Sequence, residues 1–452
     1  MASMRYRFQG GVHPLTFKSL ASDRPIKKSF IPKRVTLPLS QHIGSPAQAV
    51  VSVGMNVKVG DLIGEPSGYI SSAVHASIAG KITKIAYLPT YNQARVLSVV
   101  IEAGVDEDQD FRVVTAASDV NFLSKEELLK LIRDAGVVGL GGAAFPTDVK
   151  LSPPGNKKID TVILNGAECE PYLTCDHRLM LEKTEGILKG LGIIVKILGV
   201  RRAYIAIENN KMSAIYAMER ALKLYGHKFA EWTGLGRGWT PKLAVLNEKY
   251  PQGAEKQIIK AILNRIVPAG GLPMDVGCIA NNVGTAYAIY ESVYLRKPLI
   301  ERAITITGSC VKEPVNTWVR TGTLLSDLKD VFGGFTKEPK KVIIGGPMMG
   351  LAQYSMDIPI SKGAGGVVFL TKDEIDSNEE GVCIRCGRCV DACPIGLVPT
   401  TLMYRVKKEQ FQDAKSLGIA YCYECGSCAY TCPAKIPLLD YLKFGKAKIQ
   451  TV

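Results

Sequence analysis

No stretch of the chain approaches the ~18 uninterrupted apolar residues that a membrane-spanning helix needs. The most apolar segment, 187–200, is broken by Lys189 and Lys196, so association with a membrane is expected to be peripheral. Nothing at the start reads as a secretory leader, and without an oxidising compartment the cysteines are not expected to form disulfides. No low-complexity tract is found. No nucleic-acid-recognition motif accompanies the basic residues, which are spread along the chain, so nucleic acid is not an expected partner. Acidic residues are the scarcer charge: 42 Asp and Glu against 56 Lys and Arg give a net +14. That excess fits attraction to a small acidic ferredoxin or to an anionic membrane surface better than a merely solvated basic exterior. With 46% hydrophobic and 22% charged residues in 452, the chain is globular and long enough for roughly three domains.

Eight of the twelve cysteines fall into one doubled pattern. Cys383, Cys386, Cys389 and Cys393 are followed by Pro394, and Cys422, Cys425, Cys428 and Cys432 by Pro433. This is C-x2-C-x2-C-x3-C-P twice, a spacing that holds two [4Fe-4S] clusters. Three closely spaced thiolates wrap one cluster and the fourth cysteine reaches the other. Cluster one is therefore assigned Cys383, Cys386, Cys389 and Cys432, and cluster two Cys422, Cys425, Cys428 and Cys393. Gly387 and Gly426 sit at equivalent places in the two copies of this internal repeat. A zinc site uses four ligands, usually as two pairs, and would leave the third cysteine of each run unused. Buried thiols rarely arrive eight at a time in such spacing. Cys169, Cys175, Cys278 and Cys310 are read as plain thiols. The pattern implies one-electron transfer and leaves the partners open.

Ahead of the clusters the chain reads as several units. Residues 1–30 are loop-like and basic, with the motif Gly10-Gly11-Val12-His13-Pro14; His13 is given no chemistry. Residues 31–115 alternate β-branched residues with glycine turns and resemble the barrel-sandwich of lipoyl and biotinyl carriers. No lysine stands at the carrier position near Ala76-Ser77, so this unit is read as a docking or structural module. Residues 116–300 alternate strands and helices into a Rossmann-like α/β layer. Within it Ser124 and Glu127 form a capping box. The run from Gly139 to Thr147 satisfies G-x-G-x-x-A, but a helix precedes it and Pro146 follows, so it is not a dinucleotide fingerprint. An anion-cradling loop or a plain hinge both suit it. Asn165-Gly166-Ala167-Glu168-Cys169-Glu170-Pro171 lies at the end of a strand, where ligands are usually met. Helices are expected over 254–266 and 285–295. Residues 301–372 suggest a small α+β unit with a helix near 324–332. In the final unit, 373–452, one helix over 400–417 is expected to bridge the clusters.

Together, Gly10 to Pro14, the glycine loop with Phe145-Pro146-Thr147, Asn165 to Asp176, Asn281 to Thr285 and the doubled cysteine runs resemble the C subunit family of the Rnf electron-transport complex. The central domain is similar to the flavin- and NADH-binding subunit of respiratory complex I. The resemblance implies a fold of barrel-sandwich domain, Rossmann-like FMN/NADH domain, β-grasp domain of the soluble-ligand-binding type, and two-cluster ferredoxin-like helical domain. It implies FMN held by Gly139, Gly141, Gly142, Lys150, Asn165, Glu168, Tyr250, Gly253, Asn281, Asn282 and Thr285. Lys150 would neutralise the FMN phosphate, Phe145 would stack on the adenine of NADH, and Glu170 and Glu255 would face the nicotinamide. Ala144, Ala167 and Ala254 depart from the complex I pattern of a glycine and two acids. The implied activity is that of a peripheral, NADH-linked oxidoreductase subunit on the cytoplasmic side of the membrane. It would exchange electrons with other membrane subunits of an ion-exporting ferredoxin:NAD+ oxidoreductase. Two alternatives stand beside it. One is a cobalamin reductase of the propanediol-utilisation type, a family without the N-terminal barrel-sandwich. The other is a ferredoxin-like wiring module that binds no nucleotide.

Overall fold

A computed structural model describes residues 7–92, 94–105, 107–113, 120–236, 238–375 and 379–450. The β-rich unit near the N-terminus forms two small sheets. One orders Arg34–Pro38, Arg95–Ala103, Gly80–Pro89 and Asn56–Val57; the other orders Gln48–Ala49, Leu62–Glu65 and Val74–His75. Their inward residues, among them Val35, Leu37, Ile63, Ile78, Ile82 and Ile101, pack into one core. The turn that would carry a lipoyl lysine is buried. Ala76 and Ser77 are inaccessible, and the Ser77 hydroxyl donates to the Thr321 carbonyl at 2.6 Å. A swinging arm cannot operate from that position.

The α/β unit is built on four parallel strands in the order Lys242–Leu246, Arg202–Glu208, Thr161–Gly166, Cys278–Asn282. Their near-continuous apolar runs suit a sheet buried on both faces. The helix Thr184–Leu198, rich in Ile, Leu and Gly, packs on Val283–Tyr294 through glycines that let the backbones approach: a Cβ on Gly190 would overlap the Ala286 carbonyl. Ser124 caps Lys125–Asp134 through the reciprocal box with Glu127, as expected. The expected helix over 254–266 is shorter, spanning Glu255–Leu263, because Asn264 turns left-handed (φ 54°) and ends it.

A six-stranded mixed sheet follows, ordered Lys27–Phe30, Val315–Arg320, Glu301–Thr307, Gly366–Leu370, Lys341–Ile344, Leu351–Gln353. Its edge strand comes from the segment read as loop. Lys27–Phe30 runs parallel to Val315–Arg320, a long-range pairing with no local signal. The helix expected near 324–332 is a 3-10 segment, Leu325–Asp330.

The cysteine-rich unit is helical: Arg388–Asp391, Pro399–Lys407, Phe411–Ser416, Ser427–Tyr430 and Leu438–Gln450. The expected bridging helix is two, parted at Glu409, which adopts φ 57°. The internal repeat is visible in the backbone. Arg385 and Glu424, Gly387 and Gly426, and Gly396 and Lys435 all take positive φ, each pair 39 positions apart.

Candidate functional site

The glycine loop is a turn closed on itself. The Gly139 amide donates to the Phe145 carbonyl at 2.8 Å and the Ala144 amide to the Gly139 carbonyl at 3.1 Å. Gly141 and Gly142 are exposed. Gly142 has φ +106°, a conformation that disfavours any side chain, and no atom lies near its missing Cβ. Ala144 adopts φ +50°, so it follows the turn that glycine would take more easily. Around the loop stand the other residues expected there. Thr285 accepts from the Leu140 amide at 2.9 Å. Asn282 lies against Gly141 and caps the helix Val283–Tyr294 by accepting from the Gly284 amide. Strand register places Asn282 beside Asn165. Asn165 donates to the Gly253 carbonyl at 2.8 Å and accepts from the Ala167 amide at 3.0 Å. Gly253 must lack a side chain, since a Cβ there would overlap the Ala167 carbonyl.

Three observations fit a flavin at this crevice. Asn281 is 4% exposed, and its side-chain NH2 has no partner among the described residues. A buried, unpaired donor is costly unless a ligand or water accepts from it. The glycine loop presents open backbone at a strand-end crevice. Lys150, at the end of the short helix Thr147–Lys150, forms an ion pair with Glu255, the first residue of Glu255–Leu263. Phe145 is half-buried on the loop itself.

The remaining expected residues are turned elsewhere. Glu168 accepts from the amides of Asp176 at 2.8 Å and His177 at 3.4 Å, so it caps the helix Cys175–Glu182. Glu170 points to the unit of the six-stranded sheet. Its two carboxylate oxygens accept from the Met348 amide at 3.2 Å and the Met349 amide at 2.9 Å, and burial raises its pKa to about 7. Tyr250 is 1% exposed, and its hydroxyl donates to the Cys425 carbonyl at 2.7 Å.

Residues not singled out from sequence complete the surroundings. Asp176 accepts from the Asn282 NH2 at 2.6 Å; desolvation, with the neighbouring Glu168, lifts its pKa to about 7. Arg302 donates to the carbonyls of Lys362 at 2.7 Å and Leu140 at 3.2 Å. Lys362, fully buried, donates to the carbonyls of Ala73 at 2.6 Å and Gly136 at 2.7 Å. Burial lowers its pKa to about 7. The barrel-sandwich unit and the unit of the six-stranded sheet thus both support the back of the glycine loop. These roles depend on contacts across hundreds of residues, which no local motif announces. Only the order Asn282-Val283-Gly284, an Asx cap, is visible in the chain.

The eight patterned cysteines line two cavities. Cys383, Cys386, Cys389 and Cys432 surround one. Cys393, Cys422, Cys425 and Cys428 surround the other. This is the grouping that crossed ligation requires. Each cavity has a largely apolar wall, including Ile384, Ile436 and Leu438 in the first and Ile395, Leu397 and Leu442 in the second. Desolvation pushes the Cys422 thiol up to about 11 and Cys428 to about 12. Iron must displace their protons to bind. The second cavity abuts the α/β unit, where Val12, Tyr250, Ala392 and Cys425 share a small core with Cys169, Met348 and Tyr423 packed on it. The first lies further out, with Cys386 exposed.

Comparison with known proteins adds four family models. Residues 6–106 match the RnfC barrel sandwich hybrid domain and 132–291 the Nuo51 FMN-binding domain. Residues 303–352 match the SLBB domain and 382–436 the 4Fe-4S dicluster domain. The C subunit of the proton-translocating ferredoxin:NAD(+) oxidoreductase complex of Clostridium ljungdahlii is 45% identical over 90% of this chain and 86% of its own. Its Na(+)-translocating counterpart in Acetobacterium woodii is 41% identical over 90% and 89%. The C subunit of the ion-translocating oxidoreductase complex of Rhodobacter capsulatus is 36% identical over 98% and 83%. Among solved structures, an NAD+-reducing [NiFe]-hydrogenase in the H2-reduced state superposes with a TM-score of 0.53 at 17% identity, over 74% of this chain and 65% of that one. The last likeness concerns the fold alone.

Proposed function

Because the chain belongs to the family of C subunits of ion-translocating ferredoxin:NAD+ oxidoreductase (Rnf) complexes, we propose that it carries electrons between NAD(H), FMN and two [4Fe-4S] clusters in such a complex. The observation that carries this reading is the pair of four-cysteine cavities, one of them set against the α/β unit that holds the glycine loop. A flavin supplies the conversion between hydride, which brings two electrons, and clusters, which take one each.

The residues divide the work as follows. Gly139, Gly141 and Gly142 let backbone amides approach the FMN phosphate, with Lys150 as its counter-charge. Asn165, Asn281, Asn282, Thr285 and Gly253 shape the crevice, and the unpaired Asn281 NH2 donates to the flavin. Glu168 holds the adjoining helix in place. Phe145 supports the adenine of NADH, and Glu255 lies beside Lys150 on the nicotinamide side. Glu170 acts from the seam, joining the strand end that leads from Asn165 to the β-grasp loop at Met348. Tyr250 links the crevice to the second cluster.

Among the described residues no helix is long and apolar enough to cross a membrane. In this reading the protein sits peripherally on the cytoplasmic side, held by the other subunits of the complex, and its +14 charge favours an acidic ferredoxin or anionic lipid nearby. Anaerobic reconstitution tests the cofactor content. The reading expects eight irons, eight sulfides and one FMN per chain. Four irons, or no flavin uptake, would contradict it.

A further inference from the structure

The Gly10-Gly11-Val12 motif lies where the α/β unit meets the second cysteine cavity. The Gly11 amide donates to the Ala392 carbonyl at 2.9 Å. Val12 and Tyr250 exchange both backbone hydrogen bonds, at 2.8 and 2.9 Å. The Tyr250 hydroxyl then reaches the Cys425 carbonyl. The contacts form a closed loop that ties two cavity positions, Cys393 through its neighbour Ala392 and Cys425 directly, to one strand end of the α/β unit.

Both glycines are required by space as well as by conformation. Gly10 has φ +72°, and a Cβ there would stand 2.6 Å from the Cys393 carbonyl oxygen. Gly11 has φ +83°, and its Cβ would stand 2.5 Å from the Tyr250 carbonyl oxygen. Further along, Lys18 donates to the carbonyls of Glu170 at 2.8 Å and Leu173 at 2.5 Å, and Phe17 stacks on Tyr172 with centroids 4.8 Å apart. The segment is therefore fastened to the α/β unit on one side and to the cavity on the other.

We propose that Gly10, Gly11 and Tyr250 are positioning residues for electron transfer, a strap that fixes the cluster of Cys393, Cys422, Cys425 and Cys428 as the one exchanging electrons with the flavin. The inference rests on the functional reading above. The balance is NADH plus two oxidised clusters giving NAD+, one proton and two reduced clusters, with the flavin as the intermediate carrier. None of the three residues supplies a reacting group. They set the separation of flavin and cluster, and an electron-transfer rate falls as that separation grows.

The full-length protein, reconstituted with clusters and FMN, is compared with Gly10→Ala. Hydrogen exchange at the Gly11, Val12 and Tyr250 amides should accelerate in the variant, with or without cofactors. Flavin content and the rate at which NADH bleaches the flavin should match wild type. Cluster reduction should slow several-fold, and the EPR signal of one cluster should change while the other stays. Wild-type cluster reduction and an unaltered EPR spectrum, despite lost amide protection, would overturn the proposal. If Gly10→Ala does not fold, Tyr250→Phe keeps the ring and removes the hydroxyl that bonds the Cys425 carbonyl and also meets the Glu170 carboxylate. It should show the same separation of flavin from cluster rates in milder form, and wild-type behaviour of that variant counts against the strap. If wild type binds no FMN, the functional reading fails. The strap is then judged on amide protection and on the EPR signature after chemical reduction.

Discussion

Lys150 and Glu255 form an ion pair in this structure, so the lysine proposed for the FMN phosphate already has a carboxylate partner. A partly solvated pair of this kind contributes little to stability, about 0–1 kcal/mol, and exchanging the carboxylate for a phosphate is inexpensive. Lys150→Ala should cost about 1.5–3 kcal/mol of FMN binding, roughly ten- to hundredfold in affinity, with little change in melting temperature. Titration followed by flavin fluorescence reads this directly, and equal affinities would remove Lys150 from the site. Glu170 gives a second test. Burial raises its pKa to about 7 from an ordinary value of 4.5. The native state then holds a proton that the unfolded chain releases, so the associated stability is present below about pH 4.5 and lost as pH rises through 7. Asp176 moves in the same direction. Glu170→Gln should flatten the fall in melting temperature between pH 5 and 7 by about one proton's worth of slope. It should also lower stability near pH 5, because an amide accepts from only one of the two Met348 and Met349 donors. An unchanged slope would show that Glu170 titrates normally.

At the scale of elements, legibility followed the range of the interactions. The capped start of Lys125–Asp134 lies where the chain's own capping box puts it. The cysteine cavities follow from spacing alone, because a repeated turn brings each run's thiols together. The break at Glu409 and the early stop at Asn264 are single left-handed residues within sequences that still read as helical. Lys27–Phe30 joins a sheet whose other strands begin at Glu301, and no local pattern specifies that pairing. In the site, the residue types along the strand ends were legible, whereas the orientation of Glu170 and Tyr250 toward the cluster side was not. That orientation depends on Met348 and Cys425, far along the chain. The cavity grouping yields a specific test. Cys389→Ala should lose the cluster at Cys383, Cys386 and Cys432 and retain the other, leaving about four irons per chain. Loss of both clusters, or of neither, would contradict crossed ligation.

For the whole molecule, the β-rich, α/β, six-stranded-sheet and cysteine-rich units converge on one crevice and one seam. Lys362 reaches from the six-stranded-sheet unit to carbonyls of the β-rich and α/β units. Replacing it with Met should leave those two buried carbonyls unpaired and destabilise the protein by about 1–3 kcal/mol for each that finds no water, read as a lower melting temperature of the apoprotein. With no spanning helix among the described residues, high salt should release the protein from membranes that lack its partner subunits, since exposed charges are screened within ~10 Å at 0.1 M salt and ~3 Å at 1 M. Retention at high salt would reveal an apolar anchor. The central claim is that electrons from NADH reach the clusters through a flavin bound to this chain. Stoichiometric NADH is added anaerobically to the cluster- and FMN-loaded protein, and visible and EPR spectra are followed in time. Flavin bleaching followed by reduction of the clusters is the expected result; clusters that dithionite reduces but NADH leaves oxidised, with or without bleaching of the flavin, would contradict it.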